Sequence, residues 1–168
     1  TFAAISTEVV PGIQADPKLQ LLQSPGLHIW WLAINMHQEP MQKKEVRQAL
    51  NYAVNKDAIV KSILQGTAVV TPGPMIPQSA WSVDPSIQPY PYDPAKAKQL
   101  LAKGGYPHGF KTFLITVSGD VAGQAEAVVV KSELAAVGIS VNIQSYELLT
   151  AYNQEDNGHS QMGERYWT

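Results

Sequence analysis

Between His28 and Met36 the chain reads HIWWLAINM. It is apolar at both alternating sets of positions, Ile29, Trp31 and Ala33 against Trp30, Leu32 and Ile34. Apolarity on both sides predicts a strand covered on both faces, with Trp30 and Trp31 packed in the core. Pro25-Gly26 supplies the turn ahead of it. The period then changes. Within Glu45–Val54, residues Val46, Ala49, Leu50, Ala53 and Val54 recur at helical spacing and form a single apolar stripe. Asn55 is placed to cap a second helix. Asp57 lies in its first turn, Ile59, Ile63 and Leu64 face inward, and Gly66 is the stop.

A third helix starts at Asp93-Pro94, an N-cap followed by a proline at the first helical position. Ala97, Leu100 and Leu101 are its buried stripe, and Gly104-Gly105 ends it. Lys111–Val117 (KTFLITV) predicts a strand, and Ser118-Gly119-Asp120 a turn that also caps the next helix. That helix is expected over Gly123–Val137, with Ala125, Val128 and Val129 on one face. Ile139, Val141 and Ile143 alternate along Ile139–Ser145, as in a half-buried strand. Glu147–Asp156 is then helical, and Gly158–Thr168 opens a further strand. Alternating strands and helices from residue 111 onward predict an α/β sheet with crossover helices.

Between the second and third helices, residues 71–94 read TPGPMIPQSAWSVDPSIQPYPYDP, with seven prolines. Flexible linkers do not keep Met75, Ile76, Trp81, Tyr90 and Tyr92. The segment is therefore expected as an ordered strap within one domain, residues 1–168, anchored by Trp81. Proline lowers the entropy cost of ordering so long a loop.

The 168 residues suffice for one self-contained core. A net charge of −2 and a pI near 6.0 exclude the basic footprint of a nucleic-acid partner. The one basic cluster, Lys43, Lys44 and Arg47, sits beside Glu45 as a solvated helix face. The absence of cysteine excludes disulfides and thiolate metal sites. No stretch approaches 18 apolar residues, as a membrane span requires. TFAAISTEVV has no basic n-region, so an export signal would have to precede this chain.

Motifs for chemistry are missing. Gly104, Gly105 and Gly109 lack dinucleotide-loop spacing and precede a strand rather than follow one. His28, His37, His108 and His159 neither pair at i, i+4 nor adjoin a carboxylate cluster, so no metal site and no cofactor are expected. No nucleophile elbow is present. Ser118, at a strand end, is a position for a ligand contact in an open α/β sheet. Tyr166 and Trp167, on the last strand, are equally suited to packing and to stacking on a ligand.

Four stretches in order carry a resemblance: EVRQALNYAVNKDAIVKSILQG (45–66), TPGPMIPQSAW (71–81), YPYDPAKAKQLLAKGGYPHGF (90–110) and ELAAVGISVNIQSYE (133–147). Together they resemble the family 5 extracellular solute-binding proteins, the peptide, dipeptide and nickel receptors of ABC importers. The resemblance implies an α/β fold, one lobe of a type II-like two-lobed periplasmic binding protein, with a mixed sheet flanked by helices. It implies a receptor, not an enzyme, that closes on a small peptide or similar solute outside the cytoplasm and delivers it to a membrane permease. A ligand-sensing domain of a transcriptional regulator is the alternative.

The resemblance also places the ligand. Tyr166, Trp167 and Thr168 match the family's Trp-Thr strand element, and the aspartate that binds the ligand's amino group would follow Thr168. Ser118 and Gly119 face the ligand from the other side. Dipeptide receptors carry an arginine in that loop for the ligand carboxylate. Val117-Ser118-Gly119-Asp120 has none, which leaves oligopeptides, other small solutes and nickel chelates open. A lobe face built to be covered implies self-association of the chain alone.

Overall fold

The computed structural model describes residues 9–22, 26–73, 84 and 86–167. Trp81 and most of the proline-rich strap lie outside them, as does Thr168.

Four strands form one mixed sheet in the order β1-β4-β2-β3. They are β1 (Ile29–Ile34), β2 (Lys111–Val117), β3 (Ser140–Tyr146) and β4 (Met162–Trp167). β2 and β3 pair in parallel along their full length, from Lys111↔Ser140 to Val117↔Tyr146. β1 pairs antiparallel with β4, from Ile29↔Trp167 to Ile34↔Met162. β1 is therefore an edge strand, and its expected cover is incomplete. Ile29 is buried, but Trp30 is 40% exposed rather than packed in the core.

The helices are α1 (Val10–Ala15), α2 (Lys44–Ala53), α3 (Lys56–Ser62), α4 (Pro94–Lys103), α5 (Val121–Ala136) and α6 (Leu148–Asp156). Local capping sets their starts. Asn55 Oδ1 accepts from Ala58 N at 3.0 Å and Asp93 Oδ1 from Lys96 N at 2.8 Å. Asp120 Oδ1 accepts from Gly123 N at 3.0 Å. Each such cap contributes about 1 kcal/mol. Among the described residues no helix is long and apolar enough to cross a membrane.

The core lies between one face of the sheet and helices α2, α4 and α5. Val46, Ala49 and Ala53 of α2 meet Ala97 and Leu101 of α4 there, with Leu114 and Met162 from the sheet. Burying each large apolar side chain contributes roughly 1.5–3 kcal/mol relative to exposure. α5 presents Gly123, Ala127, Val130 and Leu134 to this core. The stripe expected from Ala125, Val128 and Val129 is not the buried one, and Val128 is 60% exposed. α5 is apolar on most of its surface, so spacing alone does not fix which face turns inward. α3 buries no residue fully; Ile59 packs against the core from its margin.

Candidate functional site

Because β2, β3 and β4 are parallel, their carboxyl ends share one edge of the sheet. Ligands of open α/β sheets bind outside this edge, where successive connections leave for opposite faces. β4 meets that condition. Successive strand residues point to opposite faces. Glu164 lies against Gly123 of α5, and Gly163 lies against Glu155 of α6. The two crossover helices thus cover opposite faces.

Pairing between β2 and β4 is confined to Leu114↔Met162 and Ile115↔Gly163. Beyond Gly163, residues 164–167 pair with β1 alone. The upper part of β4 therefore keeps one main-chain edge off the ladder, facing the end of β2.

The expected ligand residues converge here. Ser118 and Gly119 form the exposed turn after β2, and Tyr166 and Trp167 end the neighbouring β4. Ser118 N–H is already used, donating to Tyr146 O at 2.7 Å. The Ser118 hydroxyl and the Gly119 amide are the donors this turn offers. Tyr166 is half-buried. Burial is the main cause that pushes Tyr152 of α6 up to about 12, and the nearby Tyr166 phenol adds to the rise. Thr168 is outside the described residues.

On the α6 side, Arg165 closes the strand end. Its Nε donates to Glu155 Oε2 and its NH2 group to Asp156 Oδ1, both at 2.6 Å. The guanidinium lies 4.4 Å from the centre of the Tyr152 ring. Burial raises the Glu155 carboxyl, while the Arg165 hydrogen bond and charge act the other way.

On the α5 side the surroundings are acidic. Glu164 of β4 and Glu126 of α5 are both raised to about 7. Burial is the main cause for each, followed by the charge of Asp120; Glu126 and Glu155 add to the rise at Glu164. Glu126 Oε1, Glu164 Oε2 and Thr116 Oγ1 are buried without a hydrogen-bond partner among the described residues. The chain's pattern did not mark this group, because GERYW reads simply as a strand. The available signal was a glutamate in a strand flanked by core positions, facing a glycine in the first turn of a helix. Among the described residues no group of three His, Cys, Asp or Glu side chains has the geometry to hold a metal ion. The described residues also line two open grooves, the second of them formed in part by Glu155, Asp156 and Arg165. One, of about 560 Å³, runs along α3 and Tyr90–Tyr92. The other, of about 370 Å³, lies between the end of β1 and the end of α6.

A mixed sheet with crossover helices on both faces and an open slot at its carboxyl edge defines a binding lobe of the periplasmic-receptor class. Residues 1–168 match the bacterial extracellular solute-binding proteins, family 5 middle region, and the chain belongs to that family. It is 40% identical over 139 residues to heme-binding protein A of Haemophilus influenzae, covering 80% of this chain and 25% of that protein. It is 33% identical over 160 residues to the dipeptide-binding protein of Escherichia coli, covering 93% of this chain and 30% of that one. The periplasmic binding protein DppA of Helicobacter pylori, solved in complex with the peptide STSA, superposes with a TM-score of 0.83 at 33% identity. That match covers 96% of this chain and 31% of DppA. The chain thus spans between a quarter and a third of the length of the relatives it matches. The expected α/β lobe with a mixed sheet is the fold these proteins share.

Proposed function

We propose that residues 1–168 form one lobe of an extracytoplasmic receptor that binds a small peptide and delivers it to an ABC-type permease. One observation carries the reading: the main-chain edge of β4 over residues 164–167 is off the ladder with β2. A peptide laid along such an edge gains main-chain hydrogen bonds whatever its side chains, and pockets on either side then select. The Ser118 hydroxyl and the Gly119 amide meet it from the β2 side, with the Trp167 backbone ending the edge. The peptide complex of the Helicobacter pylori relative and the name of the Escherichia coli relative support a peptide as the solute. Binding and release need no covalent step, and no residue here is assigned one.

Hydrogen exchange on a receptor comprising this lobe tests the reading. Saturation with a tetrapeptide that binds in calorimetry is expected to slow exchange at Gly119 and across 164–167, while the centre of β3 is unchanged. Unchanged exchange at both places, with binding saturated, would refute it.

A further inference from the structure

We propose that Glu126 and Glu164 hold one proton between them at neutral pH, and that this proton keeps the first turns of α5, with the Ser118–Asp120 turn ahead of them, seated on β4.

A Cβ built on Gly123 would lie 1.9 Å from Glu164 Oε1 and 2.4 Å from its Cδ and Oε2. The carboxyl is therefore pressed against bare helix backbone, and any side chain at 123 would have to displace it. Its cross-strand partner on β1 is Leu32, which offers no hydrogen bond. On the β2 side the pairing stops one residue short of it, at Ile115↔Gly163, and the next β2 residue is Thr116. Thr116 is 1% exposed, and its hydroxyl has no partner among the described residues. Glu126 Oε1 and Glu164 Oε2 are buried and equally unmatched. Glu126 stands one helical turn beyond Gly123, next to it on the surface of α5. Buried carboxyl oxygens without a donor need a hydrogen, and an ionised carboxylate supplies none.

The neighbouring charges do not relieve the pair. Asp120, from the turn before α5, adds negative charge and spends Oδ1 on the Gly123 amide. Glu155, beside Gly163 on the other face of β4, adds charge of the same sign. The nearest cation along the strand, Arg165, points to the opposite face and is engaged by Glu155 and Asp156. Leu32 and Thr116, from the strands on either side, carry no charge. Two carboxyls in this setting titrate as a pair. Burial and like charge both favour a bound proton, in line with the upward direction found for each.

Loss of that proton leaves like charges buried between α5 and β4. The part free to yield is the start of α5. It is held by the Asp120 cap and by Gln124 Nε2, which donates to Val117 O at 3.2 Å and to Ser145 Oγ at 3.4 Å. The consequence for solute affinity rests on the function proposed above. The proton pair itself does not.

The test uses the chain without solute. Carbon-13 NMR of side-chain carboxyls is expected to show one glutamate titrating near neutrality, well above the ordinary 4.5. Amide exchange over 119–124, corrected for the intrinsic rate, is expected to be at least fivefold faster at pH 8 than at pH 6. Glu164→Gln and Glu126→Gln should each abolish that difference, since either leaves a single carboxyl. Glu126 is only half-buried on its helix, so its variant keeps the test open if Glu164→Gln does not fold. Titration of both groups below pH 5.5, or a difference that persists in Glu126→Gln, overturns the proposal. In a receptor comprising this lobe, peptide affinity should fall several-fold from pH 6 to pH 8, and Glu126→Gln should remove the fall. Flat affinity beside the expected NMR behaviour would sink the placement of the solute at this edge while leaving the proton pair standing.

Discussion

Gly109→Ala isolates the contact that sets the starts of β2 and β3. Gly109 has φ +74°, and a Cβ there would stand 1.9 Å from Gly138 O and 2.3 Å from Gly138 C. Real Cβ contacts essentially never fall below 3.0 Å, so one turn must retreat by more than about 1 Å. Both neighbours are backbone, and no side chain can swing away. The retreat pulls on the 2.8 Å bond from Ser140 N to Phe110 O, just ahead of the Lys111↔Ser140 pair. Losing that bond costs about 1 kcal/mol. The left-handed conformation costs an alanine about 1 kcal/mol more. Displaced packing at the strand starts brings the total to about 3–4 kcal/mol.

Gly66→Ala is the control. It has nearly the same φ, +75°, with nothing within 4 Å of the added carbon, so only the conformational cost of about 1 kcal/mol applies. Urea unfolding followed by far-UV circular dichroism is expected to separate the two by at least about 2 kcal/mol. In a chain of this length that difference corresponds to a gap in Tm of about 4–8 °C. Values within about 0.5 kcal/mol of each other, at equal urea dependence, would mean that the Gly138 backbone does not resist the added carbon.

Arg165→Met removes the partner of a carboxylate whose side chain is 5% exposed. The expected loss is about 3 kcal/mol at pH 8, where Glu155 is left charged and buried. At pH 5 the loss is smaller, because Glu155, already raised by burial, takes up a proton. Equal losses in urea unfolding at the two pH values would contradict this. On α5, Leu134→Ala opens a cavity at a fully buried position and should cost about 2–5 kcal/mol. Val128→Ala, at a position 60% exposed, should stay within about 0.5 kcal/mol in the same assay.

The features legible in the chain were mostly local. Asn55, Asp93 and Asp120 cap helices because a short oxygen-bearing side chain reaches a backbone N–H two or three residues on. That geometry depends on nothing distant. The β2 and β3 strands and their crossover helix were readable from the alternation of periods. The phase of α5 was not, because its burial is decided by what it meets: bare backbone at Gly123 accepts the Glu164 carboxyl, and Leu134 enters the core. β1 looked like an interior strand, since apolar residues on both faces do not distinguish a central position from an edge with partial cover. Ser118-Gly119 and Tyr166-Trp167 were placed on separate strand ends by the pattern, and in the fold those strands, β2 and β4, are neighbours. The two glutamates beneath them were not marked, since a strand glutamate is ordinarily a solvated position and only the tertiary packing buries this one.

The pairing of β1 with β4 joins the first strand of the sheet to the last. β2, α5 and β3 form from neighbouring stretches of chain, whereas β1 must close a loop spanning nearly the whole length before it gains a partner. Closure entropy grows only slowly with loop length, but contacts of such separation delay folding. The resulting order of assembly is a β2–α5–β3 unit first, β4 laid beside it, and β1 zipped on last. Until that last step β4 has both upper edges open, so the strand proposed to receive the solute is also the most association-prone edge of the half-folded lobe.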